Sequence, residues 1–150
     1  MGIQLLHGDQ QVPEIIYSRA EEGLVLLAIN RMWEISEDRT DVCSEDQLLQ
    51  ISTKRLSKGT TFQPHKHNVL KRDTNTTHEA WIILKGAIKA KFWDIDDTLI
   101  HETVLRFGDC AVVYCAGHGF EVLQDGTILY EVKNGPYFGQ LKDKTFIEGV

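Results

Sequence analysis

The sequence lacks most of the features that assign a protein to a class at first sight. No apolar run approaches the length of a membrane span, and Met1–Ile16 has neither the basic start nor the long apolar core of a secretion signal, so a cytoplasmic protein without membrane partners is expected. Positive charge is not in excess. The 16 Lys and Arg stand against 22 Asp and Glu, a net charge of −6, whereas a nucleic-acid surface calls for a basic patch. Cysteine is scarce: Cys43, Cys110 and Cys115 are odd in number and show no Cys-x-x-Cys spacing, which argues against both a disulfide framework and a zinc ribbon. The chain has no internal repeat and no low-complexity segment, and no helical period runs through its second half.

What is present is the material of one ordinary domain. The 150 residues are 42% hydrophobic and 25% charged, enough to bury a core without staples. Gly23–Ile29 is a compact apolar run of strand length, and residues 36–46 after it are polar and turn-rich. A strand that is wet on one face should alternate, so this continuous run needs cover on both faces. A second subunit would provide one cover, and the chain's own sheet another; a homodimer using this segment is the expectation. From Leu48 to Leu56 the residues read as a further strand. Short strands then follow closely: Ala80–Leu84, Ala87–Trp93, Leu99–Leu105, Ala111–Tyr114, Phe120–Leu123 and Thr127–Val132. The turns between them include Lys85-Gly86, Phe107-Gly108-Asp109 and Asp125-Gly126, of which Asp-Gly is the strongest hairpin signal. Many short strands at close spacing predict an all-β sandwich or antiparallel β-barrel. Gly135-Pro136 ends the last strand, because proline has no N–H to give to a ladder.

The candidate chemistry is concentrated between Gly59 and Gly86. Three of the six histidines, His65, His67 and His78, lie there. In an extended strand residues two apart share a face, so the imidazoles of His65 and His67 can converge on one point. Alternation puts Glu79 on a face with Trp81 and Ile83, and His78 on the other with Ala80 and Ile82. Two imidazoles and a carboxylate suit Fe, Mn, Ni, Cu or Zn without choosing among them.

The frame of these residues, a glycine, five residues, His-x-His, a glutamate, six residues and a glycine, resembles the first signature of the cupin superfamily. Gly59, His65, His67, Glu79 and Gly86 match it in order, although residues 68–78 between the second histidine and the glutamate exceed the usual spacing. Gly108-Asp109 and the stretch Cys115–Glu121 resemble the second signature. There Cys115 replaces a proline, Gly117 is kept, and Phe120 stands where the third metal histidine is expected. His118, two residues earlier, keeps the same strand face. The resemblance spans residues 47–133. It implies a cupin-like double-stranded β-helix, or jelly roll, over residues 47–134, an N-terminal arm over 1–46 and a tail over 135–150. It further implies a divalent metal on His65, His67, Glu79 and His118, with His78 the alternative fourth ligand.

Large residues on or near the ligand-bearing faces, Phe62, Trp81 and Phe120, are expected to line the substrate pocket with Arg72; Arg72, Lys66 and Lys71 could hold a carboxylate or phosphate. Cupins include enzymes and binding modules, so the fold does not decide the chemistry. The expected function is a small metal-dependent enzyme acting on a polar metabolite such as a sugar or sugar-derived acid. The alternative is a non-catalytic binding or regulatory module. No catalytic residue beyond the ligands is assigned.

Overall fold

In the computed structural model, which describes residues 13–73 and 75–148, the alternation written into Glu79–Lys85 becomes the boundary between two hydrophobic layers. Trp81 and Ile83 point into one cluster with Leu27, Ile29, Phe92 and Leu105. Ala80 and Ile82 point into the other, with Ala28, Val112 and Tyr114. A period of two turns one apolar strand into a wall with a core on each side.

In chain order the strands are β1 (Glu14–Tyr17), β2 (Val25–Asn30), β3 (Thr40–Asp41), β4 (Ser52–Thr53), β5 (Glu79–Lys85), β6 (Ala87–Trp93), β7 (Leu99–Arg106), β8 (Cys110–Val113), β9 (Gly117–Val122) and β10 (Ile128–Lys133). A single-turn helix, α1 (Gln140–Asp143), follows. All pairings are antiparallel. They form a five-stranded sheet in the order β1-β2-β8-β5-β10, a three-stranded sheet β7-β6-β9 and the small pair β3-β4. The first core lies between the two larger sheets, since it draws on β2, β5 and β8 from one and on β6 and β7 from the other. The second core lies on the outer face of the five-stranded sheet, beneath Val42, Cys43, Leu49 and Ile51. The protein is therefore all-β. The expected closed barrel is not formed: the outer edges of β7, β9, β1 and β10 have no strand partner among the described residues.

Three of the turns read from the sequence pass from one sheet to the other. The β5–β6, β7–β8 and β9–β10 connections each join strands of different sheets, so Asp125-Gly126 does not close a hairpin. Instead, Leu123 N–H bonds to the Ala87 carbonyl at 3.0 Å while β10 pairs with β5. Gly86 and Gly108 take φ of 77° and 82°, and a Cβ there would run into Thr127 and Met32 respectively. Only glycine satisfies both requirements.

The apolar run of β2 is covered within the chain itself. Leu27 and Ile29 enter the first core and Ala28 the second, with β1 and β8 on either side. Partner cover is not needed to explain this run, and β1 and β2 add two strands to the five-stranded sheet. Leu26 sits at a bulge, where the register passes from Ile16↔Leu27 to Tyr17↔Val25, and it faces the same core as Leu27. The strand expected over Leu48–Leu56 shrinks to Ser52–Thr53. Its backbone is used locally: Ile51 N–H bonds to Cys43 Sγ at 3.3 Å, and the Ile51 carbonyl accepts from Val42 N–H at 2.9 Å.

Two buried carboxylates tie the layers at their ends. Asp109 accepts from Arg31 Nη1 at 3.0 Å and from Arg106 N–H at 2.9 Å. Asp94, at the end of β6, accepts from Ser18 Oγ and Arg19 N–H, both at 2.6 Å. No helix among the described residues is long and apolar enough to cross a membrane.

Candidate functional site

Glu79 begins β5 on its inward face, and its carboxylate is buried. Two residues on, Trp81 shares that face and donates its indole Nε1–H to Glu79 Oε1 at 2.7 Å. Across the gap between the sheets, β9 carries His118, whose Nε2 lies 3.6 Å from Glu79 Oε2. The other ring nitrogen, Nδ1, is 3.0 Å from the carbonyl of Ala116. A carbonyl only accepts, so Nδ1 carries a proton and Nε2 is the atom aimed at the carboxylate. The Trp81 ring stands edge-on to both His118 and Phe120, at centroid separations of 5.4 and 5.0 Å.

A second cation reaches the same oxygen from β10. The register pairs Lys133 with Glu79 and Glu131 with Trp81, so all four side chains share a face. Lys133 Nζ is 3.6 Å from Glu79 Oε2 and 2.7 Å from Glu131 Oε1. The result is a chain of alternating charge: Glu131, Lys133, Glu79, His118.

The titration behaviour follows from these contacts. Burial by itself would raise the Glu79 carboxyl. The facing His118, the Trp81 N–H and Lys133 outweigh it and bring the carboxyl down to about 2. For His118, burial works against the charged ring, but Glu79 and the Ala116 carbonyl prevail and its pKa is raised. The imidazolium, with both nitrogens as donors, is the form this geometry favours.

The cluster opens into a cleft of about 1020 Å³ at one end of the sandwich. Trp81, His118 and Phe120 line its inner side, and the tail beyond β10 lines the outer side with Phe138, Lys144 and Ile147. Thr77 Oγ donates to Asp143 Oδ1 at 3.2 Å, and Ile147 packs onto Gly117, where an added Cβ would lie 2.5 Å from Ile147 Cδ1. Tyr137 is exposed, with Lys133 Nζ 5.8 Å above its ring.

Of the metal ligands expected from the sequence, the fold brings Glu79 and His118 together. His65 and His67 lie on the exposed segment 54–73, their rings 5.4 Å apart, with His65 Nδ1 3.0 Å from the Gln63 carbonyl. No group of three or more His, Cys, Asp or Glu side chains among the described residues is gathered closely enough to hold a metal ion. His78 lies on the opposite face of β5, against Tyr114 at 5.4 Å, with its Nδ1 3.4 Å from Leu49 N–H. Burial lowers its pKa. It is thus a component of the second core. Among the expected pocket residues, Trp81 and Phe120 line the cleft. Phe62 and Arg72 do not: both are exposed on the segment 54–73, with Lys54 Nζ 4.7 Å from the Phe62 ring. Lys133 and Glu131 had no place in the sequence reading. The available signal was their i, i+2 spacing, which puts opposite charges on one face of a strand otherwise rich in apolar residues.

No family model matches the chain, and no curated protein or solved structure is similar enough to it to count as a match.

Proposed function

We propose that the cleft is a small-molecule site built on a divalent metal, with Glu79 and His118 as its preformed half. The observation that carries this reading is the 3.6 Å separation of Glu79 Oε2 and His118 Nε2. Two donors at metal–ligand distances of roughly 2.0–2.2 Å from one ion lie about this far apart. His118 also gives its second N–H to a backbone carbonyl, the arrangement that orients metal-binding imidazoles. His65 and His67 complete the set when residues 60–67 add as a strand to the open edge of β9, which has no partner on that side among the described residues. This is the cupin-like arrangement that the two sequence motifs imply.

A metal held there would polarise a substrate oxygen or lower the pKa of bound water. The chain's own groups do the rest. Trp81 fixes Glu79 through Oε1, Phe120 and Phe138 give the cleft apolar walls, and Lys71 and Arg72, which follow the added strand, are the partners offered to a carboxylate or phosphate. A polar metabolite such as a sugar-derived acid fits that mixture, and a metal-dependent enzyme is the preferred reading. One observation favours a binding module instead: Glu79, His118, Lys133 and Glu131 neutralise one another, which leaves no free acid–base pair beside the ligands.

Metal content after identical purification tests the assignment. His118→Ala, Glu79→Ala and the double variant His65→Ala/His67→Ala should each lose most bound metal, whereas His78→Ala should retain it. Full retention in the first three would remove the metal reading. Turnover lost on chelation would select the enzyme over the module.

A further inference from the structure

We propose that the outer face of the five-stranded sheet carries a second binding site, a pocket at Tyr114 for a small uncharged molecule with an apolar body and one carbonyl-type oxygen. The pocket has a volume of about 380 Å³, at the small end of the range for ligand sites. It lies between the sheet and the segment that covers the second core. Ile15, Val25 and Tyr114 line it from the sheet, and Val42, Cys43 and Gln47 line it from the cover. It is on the opposite face of the sheet from Glu79 and involves no metal.

The observation that carries the proposal is the Tyr114 hydroxyl. The residue is only 3% exposed, and its oxygen is buried without a hydrogen-bond partner among the described residues. A buried polar group is costly to leave unpaired, so an orphan beside a pocket calls for a partner from outside the chain. The neighbouring groups are already committed. Cys43 Sγ, beside the hydroxyl, donates to the Leu49 carbonyl at 3.3 Å and accepts from Ile51 N–H at 3.3 Å. His78, whose ring stands edge-on to that of Tyr114, takes Leu49 N–H on Nδ1 at 3.4 Å. Burial, with Cys43 next to it, raises the Tyr114 pKa, so the hydroxyl keeps its proton and offers it. A bound molecule must therefore present an acceptor.

The lining decides the charge of that molecule. It contains no Lys, Arg or His among the described residues, and its one carboxylate, Asp41, is held by Arg39 at 2.6 Å. An anion would lose its water without a cation to receive it, and a cation would find the carboxylate already paired. Ile15, Val25 and Val42 give the rest of the molecule an apolar wall.

The test is an NMR titration of the methyl-labelled full chain with three probes of similar size: acetophenone, which has the acceptor, ethylbenzene, which lacks it, and benzoate, which is charged. The methyl groups of Ile15, Val25 and Val42 report on the pocket. Acetophenone should shift them and bind about tenfold more tightly than ethylbenzene, the worth of one hydrogen bond to a buried donor, while benzoate leaves them in place. In Tyr114→Phe that preference should disappear, with ethylbenzene still bound. Val25→Phe, which narrows the pocket, should abolish the acetophenone shifts at Ile15, with a circular dichroism spectrum to establish folding. Equal binding of acetophenone and ethylbenzene by wild type overturns the role of the hydroxyl, as does a preference kept in Tyr114→Phe. Benzoate bound as tightly as acetophenone overturns the uncharged class. Shifts confined to the Glu79–His118 cleft, or none with any probe, overturn the site and leave the hydroxyl to a buried water. If Tyr114→Phe fails to fold, the wild-type comparison and Val25→Phe decide.

Discussion

Arg31 and Asp109 meet at 3.0 Å although 78 positions separate them in the chain. Asp109 is fully buried, and Arg31 also donates to the Val104 carbonyl at 2.8 Å and to Thr103 Oγ at 2.7 Å. This clasp joins the end of β2 to the β7–β8 crossing. Removing one member leaves the other charged and desolvated, which typically costs about 3–5 kcal/mol. Asp109→Ala should therefore lower stability by that order in urea unfolding. Arg31→Met combined with Asp109→Leu should recover part of the loss. Equal destabilisation by the single and double variants would mean that the contact is incidental.

Acid should loosen the ends of the sandwich before neutral conditions do. Burial works against the charge on Asp94, but Ser18 Oγ and the Arg19, Ile95 and Ala20 N–H groups outweigh it and hold the carboxyl at about 2. Glu79 is depressed similarly. A depressed carboxylate contributes its stability fully above its unfolded pKa, near 4, and loses it as pH falls toward the folded value. Thermal midpoints should be flat above pH 5 and fall steadily between pH 4 and 2. Asp94→Asn should reduce that slope; a slope identical to wild type would place the acid sensitivity elsewhere.

His118 moves in the opposite sense. Its raised pKa means that the charged ring contributes stability below the ordinary value of about 6.5, and that contribution disappears as pH rises through the folded pKa. On the proposed metal reading the ligand nitrogen must first lose that proton, so metal affinity should climb with pH through a midpoint above 6.5. Titration of affinity from pH 5.5 to 8.5 checks this. A midpoint below 6.5 would mean that another histidine governs binding.

Much of the fold is legible because strand periodicity is local. The inward face of Glu79 rather than His78 follows from alternation with Trp81 and Ile83, and the bounds of Ala87–Trp93 can be read directly. His118 is legible for the same reason, since an offset of two from the motif position keeps its face. Contacts made across the fold are not legible in this way. Lys133 reaches Glu79 only because β10 pairs with β5 in one register, and nothing near Lys133 in sequence encodes that partner. Asp125-Gly126 misleads for a related reason: the left-handed glycine, φ 70°, serves a hairpin and a crossing between sheets equally well.

Cys115 should prove a poor nucleophile although it is exposed at the cleft. Burial of its sulfur, then Asp94 and Glu21, push its pKa up, and the thiol leans on the Val25 carbonyl at 3.5 Å. Since the thiolate is the reactive form, iodoacetamide at pH 7.5 should label it more slowly than free cysteine. Rapid labelling, lost in Cys115→Ser, would instead mark an activated sulfur.

The position of β8 at the middle of the five-stranded sheet has a consequence for synthesis of the chain. β2 and β5 both depend on β8 for a neighbour, and β8 is made some 80 residues after β2. During translation the fully apolar stretch Val25–Ile29 therefore leaves the ribosome long before its second flank exists, with only β1 to pair with. Such a segment is open to pairing with other nascent chains until Cys110–Val113 arrives. Slower elongation or lower temperature during expression should thus change the soluble yield more than the stability of the finished protein would suggest.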